Sequence, residues 1–481
     1  MSNHRYLLLL PLLASCMRPL SYQPPSLPSP TAWKNTADTL TATTPPAPTT
    51  TATPPTADNP PAPGPWWALF DDPVLAGLEQ QATARNFSLQ AALARVEEAR
   101  ANVRVAASYR APLVTVDPQV YRTRLSALRP LPFPVASSIG VVQNQFYVPV
   151  NASYEVDVFG RVRASVRAAE TDAQVAEATR RAVQLSLTAD AATYYFGLRG
   201  LDAQLTVLDT ARQDRRHSLA LTRERYRAGV DNEIAVHRAE TELANVEAQL
   251  FETRRQRLGL EAVLATVVGQ PASGFALAPR PGALVAPAVP LTLPATLLAR
   301  RPDLQQAERR LAAASARADV AHLARLPSLR LAGLLGPQSA QLGELARVSD
   351  SYTYYVGGGV SIPVFNGGRN RANEQVARTE ATALTADYRQ TALVAFREVE
   401  TAQADVRQYQ AQLGARQRAL RAARLASALT RERYRAGLTN YFEVVDADRQ
   451  TLAAATLLTQ TQGNLLTATV ALVRALGGGW E

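Results

Sequence analysis

The nonapeptide LTRERYRAG stands twice in this chain, at residues 221–229 and 429–437. Nine identical residues do not recur by chance in 481 positions, so the chain is two copies of one unit. The stretch beginning NFSLQAALARVEEAR at Asn86 aligns with RPDLQQAERRLAAAS at Arg301, with Leu89 on Leu304 and Pro112 on Pro327 at an offset of 215. VDVFGRVRA then matches IPVFNGGRNRA at an offset of 206 through Phe159 and Phe365. Beyond it the offset is 208 as far as Gly269 and Gly477. Offsets that change only between segments mark elements of fixed length joined by variable loops.

Each copy holds two kinds of element. The first is strand. From Phe146 to Val158 apolar residues alternate with Tyr147, Pro149, Asn151, Ser153, Glu155 and Asp157, and the second copy keeps this parity from Tyr352 to Val364. A period of two with one polar face is the pattern of a strand wet on one side only. Runs of about ten such residues suit a transmembrane barrel as well as a half-buried sandwich. A shorter strand precedes each. The strands are expected at about 113–125 and 143–159, and at about 328–336 and 351–365.

The second element is very long helix. No proline falls between Arg161 and Arg227, nor between Arg369 and Arg435. At 1.5 Å per residue each run reaches roughly 100 Å. Leu187, Ala191, Tyr194, Leu198, Leu201, Leu205 and Leu208 recur at alternating steps of four and three, as in a coiled coil, and Ala395, Val399, Ala402, Val406, Tyr409 and Leu413 do so in the second copy. LTRERYRAG closes each long helix, with Gly229 and Gly437 suited to the left-handed residue after a helix end. A return helix follows at once, and Asn440 with Glu443 reads as a capping box. The nonapeptide is therefore the tip of a helical hairpin. The hairpins are expected over 161–268, with tip 226–232, and over 366–476, with tip 434–440. They belong to copies spanning 66–270 and 295–481, joined by a Pro-rich connection at 271–294.

The N-terminus has a different character. His4 and Arg5 precede a short apolar run that ends Leu13-Ala14-Ser15-Cys16. Residues 1–15 read as a signal peptide, too short to span a bilayer. The ending resembles the bacterial lipobox, which implies that Cys16 carries S-diacylglycerol and an N-linked palmitate. Met17 in place of Asp suits the outer membrane. Residues 16–65 are dominated by Pro, Thr, Ala and Ser and read as an extended tether.

Composition mainly excludes. The net charge of +10 comes from arginine, with Lys34 the sole lysine, but the arginines are interleaved with acids along helical faces and give no nucleic-acid footprint. One cysteine permits no intrachain disulfide. His4, His217, His237 and His322 lack metal-ligand spacing, and no nucleophile or phosphate-binding motif stands in a suitable context. An enzyme has no support, and neither metal nor cofactor is expected beyond the lipid.

Four strands cannot close a barrel, and open edges are forbidden in hydrocarbon. If these strands span a bilayer, copies must combine, and three supply twelve strands around water. At this point the chain, from Trp66 to Trp480, resembles the TolC-like outer-membrane factors. The likeness is to the NodT-type lipoprotein branch that serves tripartite resistance-nodulation-division efflux. The motifs are WWALFDDPVLAGLEQQA, LLARRPDLQQAERRL, PVFNGGRNRA, RYRAG twice and ALVRALGGGW. The resemblance implies an α+β membrane protein, a homotrimer with a 12-stranded barrel continued by a helical coiled-coil tunnel. It implies a passive duct in contact with outer-membrane lipid, energised by an inner-membrane pump through a periplasmic adaptor. The adaptor would dock on the tips at Arg225, Tyr226, Arg227 and Gly229 and at Arg433, Tyr434, Arg435 and Gly437. A periplasmic gate would lie at Phe442, Glu443 and Asp446, where a ring of carboxylates attracts cations. Whether His237 or Glu233 joins it stays open. The alternatives are the duct of a type I protein secretion system and, in a different class, a periplasmic coiled-coil scaffold or adaptor.

Overall fold

The computed structural model describes Tyr22, Pro25, Trp33 and residues 65–127, 141–280, 282, 285–289 and 300–478. The signal segment 1–15, Cys16, most of 16–65 and the last part of the 271–294 connection lie outside them. The chain divides into two compact units. The first takes residues 1–26, 95–176 and 307–388, and the second takes 27–94, 177–306 and 389–481.

The first unit holds the sheet. Its strands are β1 (Leu113–Val116), β2 (Gln119–Leu125), β3 (Val141–Tyr147), β4 (Val150–Val156), β5 (Ser328–Ser339) and β6 (Tyr352–Ser361). β1 pairs with β4 and β2 with β3, both β3 and β4 pair with β5, and β5 pairs with β6, all antiparallel. The six segments form four runs. β1 and β2 are separated by Asp117-Pro118, and β3 and β4 by Val148-Pro149. The register is unbroken across both gaps, since Val116 faces Val150 on one side and Gln119 faces Tyr147 on the other. Each proline lacks the N–H that the ladder needs there. Asp117 N–H still reaches the Pro149 carbonyl at 3.1 Å, and Val148 N–H the Pro337 carbonyl at 3.0 Å. The expected runs 143–159 and 351–365 are observed at 141–156, starting two residues earlier and ending three earlier, and at 352–361. At the first end the Asp157 carboxylate leaves the ladder to accept from Val162 N–H (3.0 Å) and Arg163 N–H (2.9 Å), starting the next helix.

The register decides what each face carries. The rows Val116–Val150–Leu335–Tyr354, Val114–Ala152–Gly333–Val356 and Val156–Leu329–Val360 share one face. Asn151, Ser153, Glu155 and Arg330 lie on the other. The apolar face is bare, with Val356 83 % exposed. Beyond Val120 and Phe146 it gives way to Arg122, Asn144 and Arg124. From Val156 back to Phe146 the run rises roughly 33 Å. Among the described residues β1/β2 and β6 each pair on one side only, so both edges of the sheet are open.

The second unit is helical. α1 (Pro73–Arg85) and the start of α2 (Phe87–Ser108) pack with the long α3 (Arg161–Arg227) and its return helix α4 (Glu233–Val267). In the second copy α5 (Pro302–Leu323) leads, by way of β5 and β6, to the long α6 (Arg369–Arg435) and its return α7 (Tyr441–Ala475). Both long helices have 67 residues and both return helices have 35, as the constant offset requires. Leu75, Leu78, Leu89, Leu187, Leu198, Tyr195, Leu264, Leu466 and Val473 form the core of this unit. α3 and α7 approach closely where Gly200 meets Gly463, so that a Cβ on either would lie about 3.5 Å from the other's Cα.

The repeat is visible in how each copy closes. Asn86 caps α2 and donates its amide to the Val267 carbonyl at 2.9 Å. Arg301, its counterpart before α5, donates to the Ala475 carbonyl at 3.0 Å. Pro302 and Asp303 open α5 as the sequence anticipates, and Asp303 also accepts from Arg301 at 2.6 Å.

Two features depart from the sequence reading. Within 16–65, read as an extended tether, Trp33 is buried edge-on against Phe396 in the second unit. Tyr22 meanwhile donates to the Glu308 carbonyl at 3.3 Å in the first unit. A tether composition says nothing of isolated aromatics, which find sockets one at a time. The other departure is Glu79 on α1, fully buried with neither oxygen hydrogen-bonded among the described residues. Burial pushes its carboxyl from an ordinary value near 4.5 up to about 9.

Folded protein therefore holds a proton on Glu79 that unfolded chain releases, and stability should fall as pH rises from about 5 towards 9. Glu79→Gln should flatten that slope in urea melts taken across this range. The helix-ending glycines give a second test. Gly229 has open space around it, whereas a Cβ on Gly269 would lie 2.6 Å from the Arg85 carbonyl oxygen, and both have a positive φ. Gly229→Ala should cost about 1 kcal/mol in unfolding free energy, and Gly269→Ala about 3 kcal/mol or more.

Candidate functional site

The two hairpin tips lie in the second unit. At each, the glycine takes φ of +73° (Gly229) or +74° (Gly437). Gly229 N–H reaches Tyr226 O at 3.0 Å and Val230 N–H reaches Arg225 O at 2.9 Å. Gly437 N–H and Leu438 N–H repeat this onto Tyr434 O and Arg433 O. This paired closure is the Schellman motif, open to glycine because it alone enters the left-handed region without strain. Asn232 and Asn440 then cap the return helices, accepting from Ala235 N–H (3.0 Å) and Glu443 N–H (3.3 Å).

Identical peptides end there in different surroundings. Tyr226 is 44 % exposed, but Tyr434 is only 4 % exposed. The Tyr434 ring packs on Tyr441 and among Leu219, Val236, Val444 and Val445. Its hydroxyl donates to Asp231, and the Arg225 guanidinium, 2.9 Å from Asp231, lies over its ring at 4.6 Å. Burial, followed by the bond to Asp231, pushes the Tyr434 phenol up to about 12. The counterpart of Asp231 in the second copy is Thr439, which offers Tyr226 no carboxylate. Tyr434 and Arg225, expected at the docking surface, are therefore turned inward and join the two hairpins. Arg227, Arg433 and Arg435 remain exposed, Arg435 paired with Glu432 at 2.7 Å.

About two turns in from the tip lies a second polar layer that the sequence reading missed. Asp448 on α7 accepts from Arg215 of α3 (2.6 Å), Ser427 of α6 (2.6 Å) and Arg431 of α6 (3.0 Å). Glu242 of α4 holds Arg449 and lies 4.0 Å from Arg215. Arg215, Glu242 and Asp448 are all buried. All four tip helices meet in this cluster. One signal was available: continued at steps of four and three, the apolar stripe of α3 runs from Leu208 through Arg212 to Arg215, a charge at a core position.

The expected gate residues sit on the opposite, wet side of α7. Phe442 is exposed, with the Arg238 guanidinium 5.2 Å from its ring centre. Glu443 is exposed beside its cap, and Asp446 accepts from Gln450 at 2.8 Å. His237 lies between Glu233 (3.7 Å) and Glu240 (3.1 Å), also exposed. Phe442, Glu443 and Asp446 share one helical face by spacing, pointing away from the Asp448 cluster. Removing one partner from a buried ion cluster strands the others, so Asp448→Ala should lower unfolding free energy by about 3–5 kcal/mol. Asp446→Ala should change it by less than about 0.5 kcal/mol. Denaturant midpoints of the two variants test the contrast.

The profile described as "Outer membrane efflux protein" matches residues 78–270 and 293–478, the two copies on either side of the Pro-rich connection. Over 417 residues the chain is 32 % identical to the pyoverdine export outer membrane protein OpmQ of Pseudomonas putida, covering 86 % of this chain and 88 % of that one. It is 32 % identical over 416 residues to the toluene efflux pump outer membrane protein TtgI of Pseudomonas putida, covering 86 % and 87 %. Among solved structures, the outer-membrane channel OprN aligns with a TM-score of 0.83 at 30 % identity, over 96 % of this chain and 99 % of that one. With its duplicated hairpins, its one-sided sheet and this match along most of its length, the chain belongs to the outer membrane efflux protein family and is the outer-membrane exit duct of an efflux pump.

Proposed function

We propose that three copies of this chain close a twelve-stranded barrel in the outer membrane, through which small molecules pass passively from pump to exterior. The observation that carries this is the sheet: one face apolar and bare, the other mixed, with Asn151, Ser153, Glu155 and Arg330 beside Leu113, Ala332 and Leu334, and both edges open among the described residues. In hydrocarbon those edges need strands from further copies. A run of roughly 33 Å, tilted by about 40°, gives an apolar band about 25 Å tall, the height of an outer-membrane barrel belt. One relative is named for pyoverdine export and another for toluene efflux, and on that likeness we assign small-molecule cargo rather than protein. Cys16, lipidated with S-diacylglycerol and N-palmitate, adds an anchor, since two or more chains hold a protein to a membrane stably.

The periplasmic end closes at α7. Phe442, Glu443 and Asp446 of three copies form a ring in which an apolar girdle adjoins carboxylates. Such a ring passes water poorly and retains cations. A periplasmic adaptor, linked to an inner-membrane pump, docks on the exposed part of the tips: Tyr226, Arg227, Gly229, Arg433, Arg435 and Gly437. Opening requires the hairpins to part, and Tyr434–Asp231–Arg225 is the contact that parting breaks first, being nearest the tip.

The double variant Glu443→Ala/Asp446→Ala should raise single-channel conductance in planar bilayers and sensitise cells to large antibiotics, because both changes remove the carboxylates of the ring without touching buried contacts. Unchanged conductance would move the constriction elsewhere.

A further inference from the structure

The apolar face of the sheet changes character along its height. Its rows run from Val156–Leu329–Val360, at the end where the long helices begin, to Val120–Phe146–Ser339 near the other end. Over these rows the face carries neither acid nor base. The next two rows are Arg122–Asn144 and Arg124–Val142. The β1–β4 and β2–β3 pairings share one register, so both arginines keep the side of Val116, Val120 and Phe146. They are the only cations on this face among the described residues, and both are exposed.

The acids of the described sheet region are engaged elsewhere. Asp117 accepts from Thr115 and Asn151 on the other face, and Glu155 holds Arg161 there. Glu344 and Asp350 lie between β5 and β6, Glu344 at 4.0 Å from Arg347 and Asp350 at 3.3 Å from Ser349. Height decides what Arg122 and Arg124 meet instead. Arg122 stands two residues beyond the Phe146 row, about 7 Å along the strand and about 5 Å further out at a tilt of about 40°. Arg124 stands about 10 Å out by the same count. A headgroup layer extends about 5–8 Å beyond hydrocarbon, and an arginine stem lets the guanidinium settle within it. Tyr352 and Tyr354, with ring centres 6.2 Å apart, lie just below on the same face, where aromatic side chains mark the top of an apolar band. The opposite end differs: past Val156 and Val360 the chain continues with Val158 and Ile362, both exposed.

We propose that Arg122 and Arg124 bind the phosphate groups of the outer-leaflet lipid, the phosphorylated glycolipid of lipopolysaccharide. The inference rests on the reading of the sheet as part of an outer-membrane barrel with its helices in the periplasm, which puts the β2–β3 end in the outer leaflet. Phosphate suits the site in charge and in shape, since the planar fork of arginine meets two phosphate oxygens at once. The acyl chains of the same lipid lie along the apolar rows beneath. One ligand therefore covers the bare rows and neutralises the two charges above them.

The test uses full-length protein in detergent, with bound lipid counted by native mass spectrometry. Wild type should hold bisphosphorylated lipid A at least about tenfold more tightly than lipid A stripped of phosphate, the loss expected when charged hydrogen bonds disappear. Arg122→Gln/Arg124→Gln should bind the two forms equally. Arg330→Gln, on the other face of the same sheet, should keep the preference. Inorganic phosphate alone, at constant ionic strength, should leave the thermal midpoint unchanged. A trimer with no preference in wild type, or with the preference intact in the double variant, overturns the headgroup site and leaves the barrel standing. A stable single subunit overturns both. Equal loss in Arg330→Gln, tighter binding of phosphatidylglycerol than of lipid A, or a midpoint raised by inorganic phosphate in wild type but not in the double variant each overturns the lipid site.

Discussion

An unpaired backbone amide or carbonyl has no partner in hydrocarbon, and this single constraint orders the rest of the molecule. The sheet offers lipid a continuous apolar face but ends in two open edges, so a lone chain cannot stand in a membrane. Closure has to come from repetition. The chain is already a repeat of itself, and the proposed ring extends the same economy to copies of the chain. Duplication supplies two strand pairs and two hairpins with matched helix lengths.

Duplication also left room for divergence where the two copies touch. The caps and glycine closures stay equivalent: Asn86 on Val267 and Arg301 on Ala475 do the same work with different side chains. At the tips equivalence ends. Asp231 and Thr439 occupy matching positions, and that one difference draws Tyr434 and Arg225 inward while Tyr226 faces solvent. The Asp448 cluster is asymmetric in the same sense, since the positions matching Arg215 and Asp448 are Ala423 and Glu240. A buried cluster of this type is a poor source of net stability but a strong source of specificity, because each misaligned arrangement leaves a charge unpaired. It fixes how the hairpins meet.

Local order was legible to the degree that it is periodic. The parity of Phe146–Val158 foretold which face is apolar, and the register put Val150, Leu335 and Tyr354 in one row as that parity requires. The glycines of LTRERYRAG foretold the helix ends, since a left-handed residue at that point leaves few other choices. Pro118 and Pro149 were visible in the sequence but not their effect: only the register shows that they face each other's neighbours and interrupt one ladder rather than ending two strands.

By itself the sequence determined the doubling, the lengths of the helices, the alternation of the strands and the place of each tip. All of these depend on residues close along the chain, whose spacing is preserved when the chain is written out. Tertiary structure decided which of two identical tyrosines is buried, which charges converge on Asp448 and where Trp33 finds its socket. These contacts join residues up to some 360 positions apart, and a side chain's burial depends on the groups brought up against it, which its own peptide does not contain.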